Sequence, residues 1–120
     1  MKTTAELKNA LANFYGTDSY HFNPMYKRML YTDGVKFFFE NAGNGAYWFS
    51  DILGTEVMQV HKKEAFLHIT LSSDGGAGLI EVDDGNDNIL WSRTLDYTDC
   101  PDGDWHFYLV DNVLMLTSEY

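Results

Sequence analysis

At Lys63 the spacing of apolar residues changes, and that change constrains the fold more than any single motif. Before it, apolar side chains recur every three or four residues, as on one face of a helix. After it they alternate, as on a half-buried strand. Thr3 to Glu6 has the form of a capping box, followed by Leu7, Leu11 and Phe14 on one stripe and by Gly16 as a stop. Thr32 or Asp33 caps a second helix, in which Val35, Phe38, Phe39 and Ala42 share a face before Gly43-Asn-Gly45. A third runs over 46–61 with Phe49, Leu53, Val57 and Val60 inward; Gly54 inside it costs about 1 kcal/mol or breaks it. The aromatic segment 17–31, interrupted by Pro24, reads as irregular chain packed on the body.

Beyond Lys63, Leu67, Ile69 and Leu71 face one way and Phe66, His68 and Thr70 the other. Further strands are predicted near 78–83, 89–96, 105–110 and 113–117, separated by turn-forming residues, with the last hairpin turning at Asp111-Asn112. The expectation is an α+β fold: about three N-terminal helices packed on a C-terminal antiparallel sheet of four or five strands, as one domain over residues 1–120. A chain of this length buries roughly two thirds of its unfolded surface, enough for its own core. Its single cysteine, Cys100, fits a reducing compartment, and the N-terminus lacks the unbroken apolar run of a signal peptide. A soluble cytoplasmic protein is expected.

Charge is distributed unevenly. Residues 1–63 hold six acidic and seven basic residues, residues 64–120 twelve acidic and one basic, Arg93, so the net −10 sits almost wholly in the second part. Such a field repels nucleic acid and anionic membranes and draws cationic partners. The carboxylates form two groups. Glu81, Asp83, Asp84 and Asp87 surround DDGNDN, and Asp96, Asp99, Asp102 and Asp104 surround DCPDGDW, with Trp105 beside them as an apolar anchor.

Neither group has the spacing of a known metal loop. An EF-hand needs glycine sixth and glutamate twelfth, whereas counting from Asp83 puts glycine third and Thr94 twelfth. His21, His61, His68 and His106 are isolated in sequence, with no pair spaced for zinc on a helix; His68 and His106 come together only if their strands pair. Cys100 lies between aspartates, which disfavour a thiolate, and no nucleophile elbow or phosphate-binding glycine loop is present. No metal, cofactor or catalytic residue is therefore assigned.

The runs LYTDGVKFFFENAG (30–43), AYWFSDIL (46–53) and LMLTSEY (114–120) resemble an uncharacterised family of small bacterial proteins, a domain of unknown function. The resemblance implies a compact stand-alone domain, found in bacteria and their mobile elements, with no established activity and no catalytic residue to carry over. The DDGNDN and DCPDGDW stretches stand outside it. The expected function is a non-catalytic acidic protein that binds and blocks a basic nucleic-acid-handling protein. A phage or mobile-element inhibitor of a bacterial defence nuclease, including an anti-CRISPR acting on a CRISPR effector, is its concrete form. The alternatives are a small hydrolytic or metal-dependent enzyme using Asp and His residues of the second half, or a plain structural domain.

Overall fold

The computed structural model describes residues Met1–Tyr120 and has an α+β architecture. Helix α1 (Thr4–Leu11) starts at the expected capping box: the Glu6 amide donates to Thr3 Oγ1 at 3.2 Å and the Thr3 amide donates to Glu6 Oε1 at 2.9 Å. It ends at Leu11 rather than running to Gly16, and Phe14 packs on Phe37 from the following turn, ring centroids 5.5 Å apart. Thr32, not Asp33, caps α2 (Asp33–Asn41), accepting from the Val35 amide. The third helical rod comprises α3 (Tyr47–Ile52), a π-helical segment (Leu53–Val57) and α4 (Met58–His61) in unbroken succession.

Gly54 lies within the π-helical segment, against the ring of Tyr26. A Cβ there would lie 2.2 Å from Cδ2 of Tyr26, so only glycine lets the Tyr26 ring lie against the helix backbone. The Tyr26 hydroxyl donates to Asp51 and sits 3.3 Å from Ser50 Oγ. Burial first, and then the bond to Asp51, push that hydroxyl's pKa up to about 12.

The sheet has seven strands, not four or five, and it is mixed rather than antiparallel. Strands β3 (Phe66–Asp74), β4 (Ala77–Asp83), β5 (Ile89–Leu95), β6 (Gly103–Val110) and β7 (Val113–Leu116) match the expected ones closely. The two additional strands, β1 (Tyr20–Phe22) and β2 (Leu30–Thr32), lie in the segment read as irregular. Three residues are too few for alternation to show. What recruits β2 is distant: it pairs in parallel with β7, Leu30 opposite Val113 and Tyr31 opposite Leu114. The order is β1-β2-β7-β6-β3-β4-β5. Helices are thus not one N-terminal block, because β1 and β2 separate α1 from α2 and a 3-10 turn (Thr117–Glu119) follows β7.

That turn fastens the two ends of the fold. Glu119 Oε1 accepts from Thr32 Oγ1 at 2.6 Å, Oε2 accepts from the Gly34 amide at 3.2 Å, and Ser118 Oγ donates to the Phe14 carbonyl at 2.7 Å. The helices cover one face of the sheet. Leu67, Ile69, Leu71, Ile80, Val82, Phe107, Leu109 and Leu114 point into the core from the strands, and Leu7, Val35, Phe38, Phe39, Phe49, Leu53 and Val57 meet them from the helices. No helix is long and apolar enough to cross a membrane. The opposite face of the sheet carries no helix and is where the chemistry-bearing side chains gather.

Candidate functional site on the open face of the sheet

The two acidic groups do not form one patch. The turn after β4 and the connector after β5 lie at opposite ends of β5, whose seven residues span about 23 Å at roughly 3.3 Å each. Several of their carboxylates are tied into the backbone. Asp84 accepts from the Asn86 amide and from Asn88 Nδ2, at 2.8 and 2.9 Å; these bonds, the side-chain one first, hold it below the usual carboxylate range. Asp87 occupies left-handed backbone at φ 65° in the same turn. Asp99 Oδ2 accepts from the Asn44 amide at 2.8 Å, closing the loop after α2, and Asp102 Oδ1 accepts from the Gly75 amide at 3.1 Å. Asp96 and Asp104 are exposed, and Glu81 is half-buried on β4.

Trp105 is not an accessible anchor. It is 3% exposed, its ring 5.7 Å from that of Phe38, with Nε1 donating to the Pro101 carbonyl at 3.0 Å and Lys8 Nζ lying 5.4 Å from the ring. Strand alternation decides this: Asp104 and His106 face outward, so the residue between them faces the core. Cys100 is also buried, which pushes its thiol pKa up.

What the fold does assemble is a row of groups on the open face. The register sets Thr70 opposite His106, and His68 opposite both Tyr108 and Asp83, so both histidines and Asp83 project from the same side. Asp83 Oδ2 lies 2.8 Å from His68 Nδ1, and His68 Nε2 lies 3.0 Å from His106 Nδ1. The imidazole planes are 8° from parallel and their centroids are 5.2 Å apart. With the facing nitrogens at 3.0 Å, that separation requires the rings to lie edge to edge in nearly one plane, not face over face. The contact is therefore an in-line hydrogen bond, and the two lone pairs leave no position from which one cation sees both.

Proton placement follows from the network. The Asp83 carboxylate accepts from His68 Nδ1–H and, through Oδ1, from the Gly85 amide at 2.8 Å. With His68 neutral, its Nε2 accepts from His106 Nδ1–H, which leaves His106 Nε2 as the free acceptor of the pair. Burial first, and then the neighbouring His68, lower the His106 pKa from its ordinary value. The shift acts on a ring whose outer edge is open, so its effect on stability is modest.

Around this chain stand Phe66 and Tyr108, centroids 5.0 Å apart, with Tyr120 5.2 Å from Tyr108. A shallow cavity of about 310 Å³ touches Phe66, His68, Asp83 and Tyr108, and another of about 220 Å³ touches Lys8, Asp104, His106 and Ser118. Sequence reasoning placed both histidines on strands but assigned neither. The available signal was alternation, which puts Phe66, His68 and Thr70 on one face of β3 and Asp104, His106 and Tyr108 on one face of β6.

The family of unknown function DUF6876 matches residues 5–120. The chain belongs to that family. DUF6876 has no assigned activity, and the match spans both strands of the histidine pair as well as the helices. No curated protein and no solved structure matches the chain.

Acidification tests the proton placement. A group whose folded pKa lies below its unfolded value stabilises the fold above the unfolded value, about 6.5 for histidine, and that stability is lost as pH falls through the folded pKa. The thermal midpoint should therefore begin to fall below about pH 6.5. The lowered carboxylates Glu6, Asp33 and Asp84 act only near and below about pH 4. In His106→Gln the slope between pH 7 and 5 should flatten while the drop below about pH 4 persists. An unchanged slope in that variant would refute the assignment of the upper window to His106.

Proposed function

We propose that the protein is a non-catalytic binding module that presents the open sheet face to a basic, nucleic-acid-handling protein and occupies the groove that would hold phosphate. One observation carries this reading. The strand residues of that face include Glu81, Asp83 and Asp104 and no lysine or arginine, whereas Arg93 lies on the helix-side face, ion-paired with Glu56. Phe66, Tyr108 and the exposed Tyr120 supply the apolar centre that charge alone lacks. A bacterial defence nuclease, a CRISPR effector among them, has the basic groove this face would fill.

The test is capture from bacterial lysate at low and moderate salt, followed by measuring nucleic-acid binding of the captured protein with and without this one. Glu81→Lys with Asp104→Lys should lower the thermal midpoint only slightly, since Asp104 is exposed and half-buried Glu81 has no hydrogen-bond or ion-pair partner to lose. Affinity should drop on the order of tenfold or more, with weaker salt dependence. Asp96→Lys, at the far end of β5, should have a smaller effect. Equal binding by the double variant, or no inhibition by the parent, defeats the proposal.

The Asp83–His68–His106 chain favours a second reading, acid–base catalysis by a small hydrolase with His106 Nε2 as the base. A hydrolytic activity lost in His106→Gln, with partner capture retained, would select it.

A further inference from the structure

One cavity stands apart from the chemistry of the open face. π-Helical turns are rare and recur at functional sites, and the one in this chain, Leu53–Val57, places Gly54 on the wall of a cavity of about 440 Å³. The Tyr26 ring and Met58 give it apolar surface, and Arg28, Lys62 and Asn112 supply its polar groups. No carboxylate lines it, in a chain with 18 acidic and 8 basic residues. Neither cation is neutralised, because the ion pairs of the protein are His21–Asp33, His68–Asp83 and Arg93–Glu56. The polar groups are also positioned. Gln59 Oε1 accepts from Lys62 Nζ at 3.0 Å, holding the ammonium without cancelling its charge. Asn112 sits on backbone fixed from both sides, its amide donating to His61 Nε2 at 3.1 Å and its carbonyl accepting from the Leu30 amide at 2.8 Å. Arg28 precedes the fully buried Met29, and the Tyr26 hydroxyl is tied to Asp51 and Ser50.

We propose that this cavity binds a small phosphate monoester, with Arg28 and Lys62 on the phosphate and the organic body against Tyr26 and Met58. Charge selects the ligand. Two unpaired cations on one cavity repel each other, and a ligand carrying nearly two negative charges relieves that cost more than a monoanionic carboxylate does. The planar fork of Arg28 matches two phosphate oxygens, Lys62 adds a point charge, and Asn112 Nδ2 is a further donor. Size limits the ligand, since the volume lies near the lower end of the roughly 300–1,000 Å³ usual for small-molecule sites. The rest of the molecule disfavours a polyanion. A duplex brings one charge per roughly 1.7 Å of axis toward a chain of net charge −10, whereas a monoester places its charge only where the cations are. None of these residues belongs to the proposed partner-binding face, so either reading can fail alone.

Phenyl phosphate is the probe, titrated at constant ionic strength while the backbone amide resonances are followed. Shifts should saturate with a Kd on the order of 0.1–1 mM and centre on Arg28, Gly54, Lys62 and Asn112. Benzoate, with the same ring and one charge, should bind about tenfold more weakly or worse, and inorganic phosphate, which lacks the ring, should move the same amides with lower affinity. Arg28→Gln and Lys62→Gln should each weaken phenyl phosphate binding by about tenfold or more. Both side chains are exposed, so the amide spectra should otherwise keep the parent's pattern. Arg28→Lys keeps the charge without the fork and should fall between the parent and Arg28→Gln. Lys63→Gln, on the neighbouring cavity, should change the Kd by less than about twofold. No saturable shift up to about 10 mM phenyl phosphate overturns the proposal. So do benzoate binding as tight as phenyl phosphate, unchanged affinity in both glutamine variants, or a single-stranded oligonucleotide that occupies these amides more tightly than the monoester.

Discussion

Phe38→Ala should remove about 3–5 kcal/mol of folding stability, the usual result of truncating a fully buried phenylalanine. Phe38 has no exposed surface and is the residue through which three elements meet. From α2 its ring lies 6.3 Å from Phe49 on α3 and 5.0 and 5.7 Å from Phe107 and Trp105 on β6. Removing it leaves a cavity bordered by rings already fixed by one another, which can collapse only partially. Domains of this size are stable by about 5–15 kcal/mol in total, so the variant should be marginal at 37 °C. Equilibrium unfolding in urea measures the change, and Phe38→Leu, which keeps most of the volume, should lose less than about 1.5 kcal/mol. A Phe38→Ala midpoint near the parent's would mean that α2 does not anchor the sheet.

Gly54→Ala should be destabilising by about 2–3 kcal/mol, against the helix-propensity gain of about 1 kcal/mol that the substitution brings in an ordinary helix. The obstacle is the body of a ring, not a flexible tip: the new Cβ would lie 2.2, 2.6 and 2.7 Å from Cδ2, Cγ and Cε2 of Tyr26. Tyr26 cannot simply swing away, because its hydroxyl donates to Asp51 and receives a bond from Asn23 Nδ2 at 3.1 Å. Removing the ring removes the obstacle. In a double-mutant cycle with Tyr26→Ala the combined loss should therefore be smaller than the sum of the two single losses. A stabilised Gly54→Ala would show that the ring is displaced without penalty.

Much of this fold is legible in the residues, and the parts that are not share a cause. The Thr3–Glu6 cap, the strand alternation from Phe66 onward and the Asp111-Asn112 hairpin, both residues at positive φ, depend on neighbours within a few positions. Strand β2 depends on β7, more than eighty positions away, and no local pattern announces a three-residue strand waiting for such a partner. The site divides along the same line. Alternation alone places Trp105 inside and His106 outside. The meeting of His68 with His106 needs the register of β3 against β6, which composition does not supply. Aspartate is ambiguous for a different reason: the residue type that makes an acidic surface also builds turns, so Asp84 and Asp99 read like Asp104 until their backbone partners are known.

The parallel seam between β2 and β7 also dictates when the molecule can become a molecule at all. A ribosome emits the helices and β2 first, and nothing it has made by His61 can shelter the apolar side of α2 and α3, since β3 to β7 are still to come. β2 gains its inner neighbour only when residues 113–114 emerge, and the Thr32–Glu119 clasp joins positions 87 apart. Closing so large a loop must precede the contacts that repay it, which favours slow formation of this seam. Until then the apolar faces of α2 and α3, with Phe38, Phe39 and Phe49, lack the sheet that covers them, and such surface is what makes folding intermediates prone to aggregate.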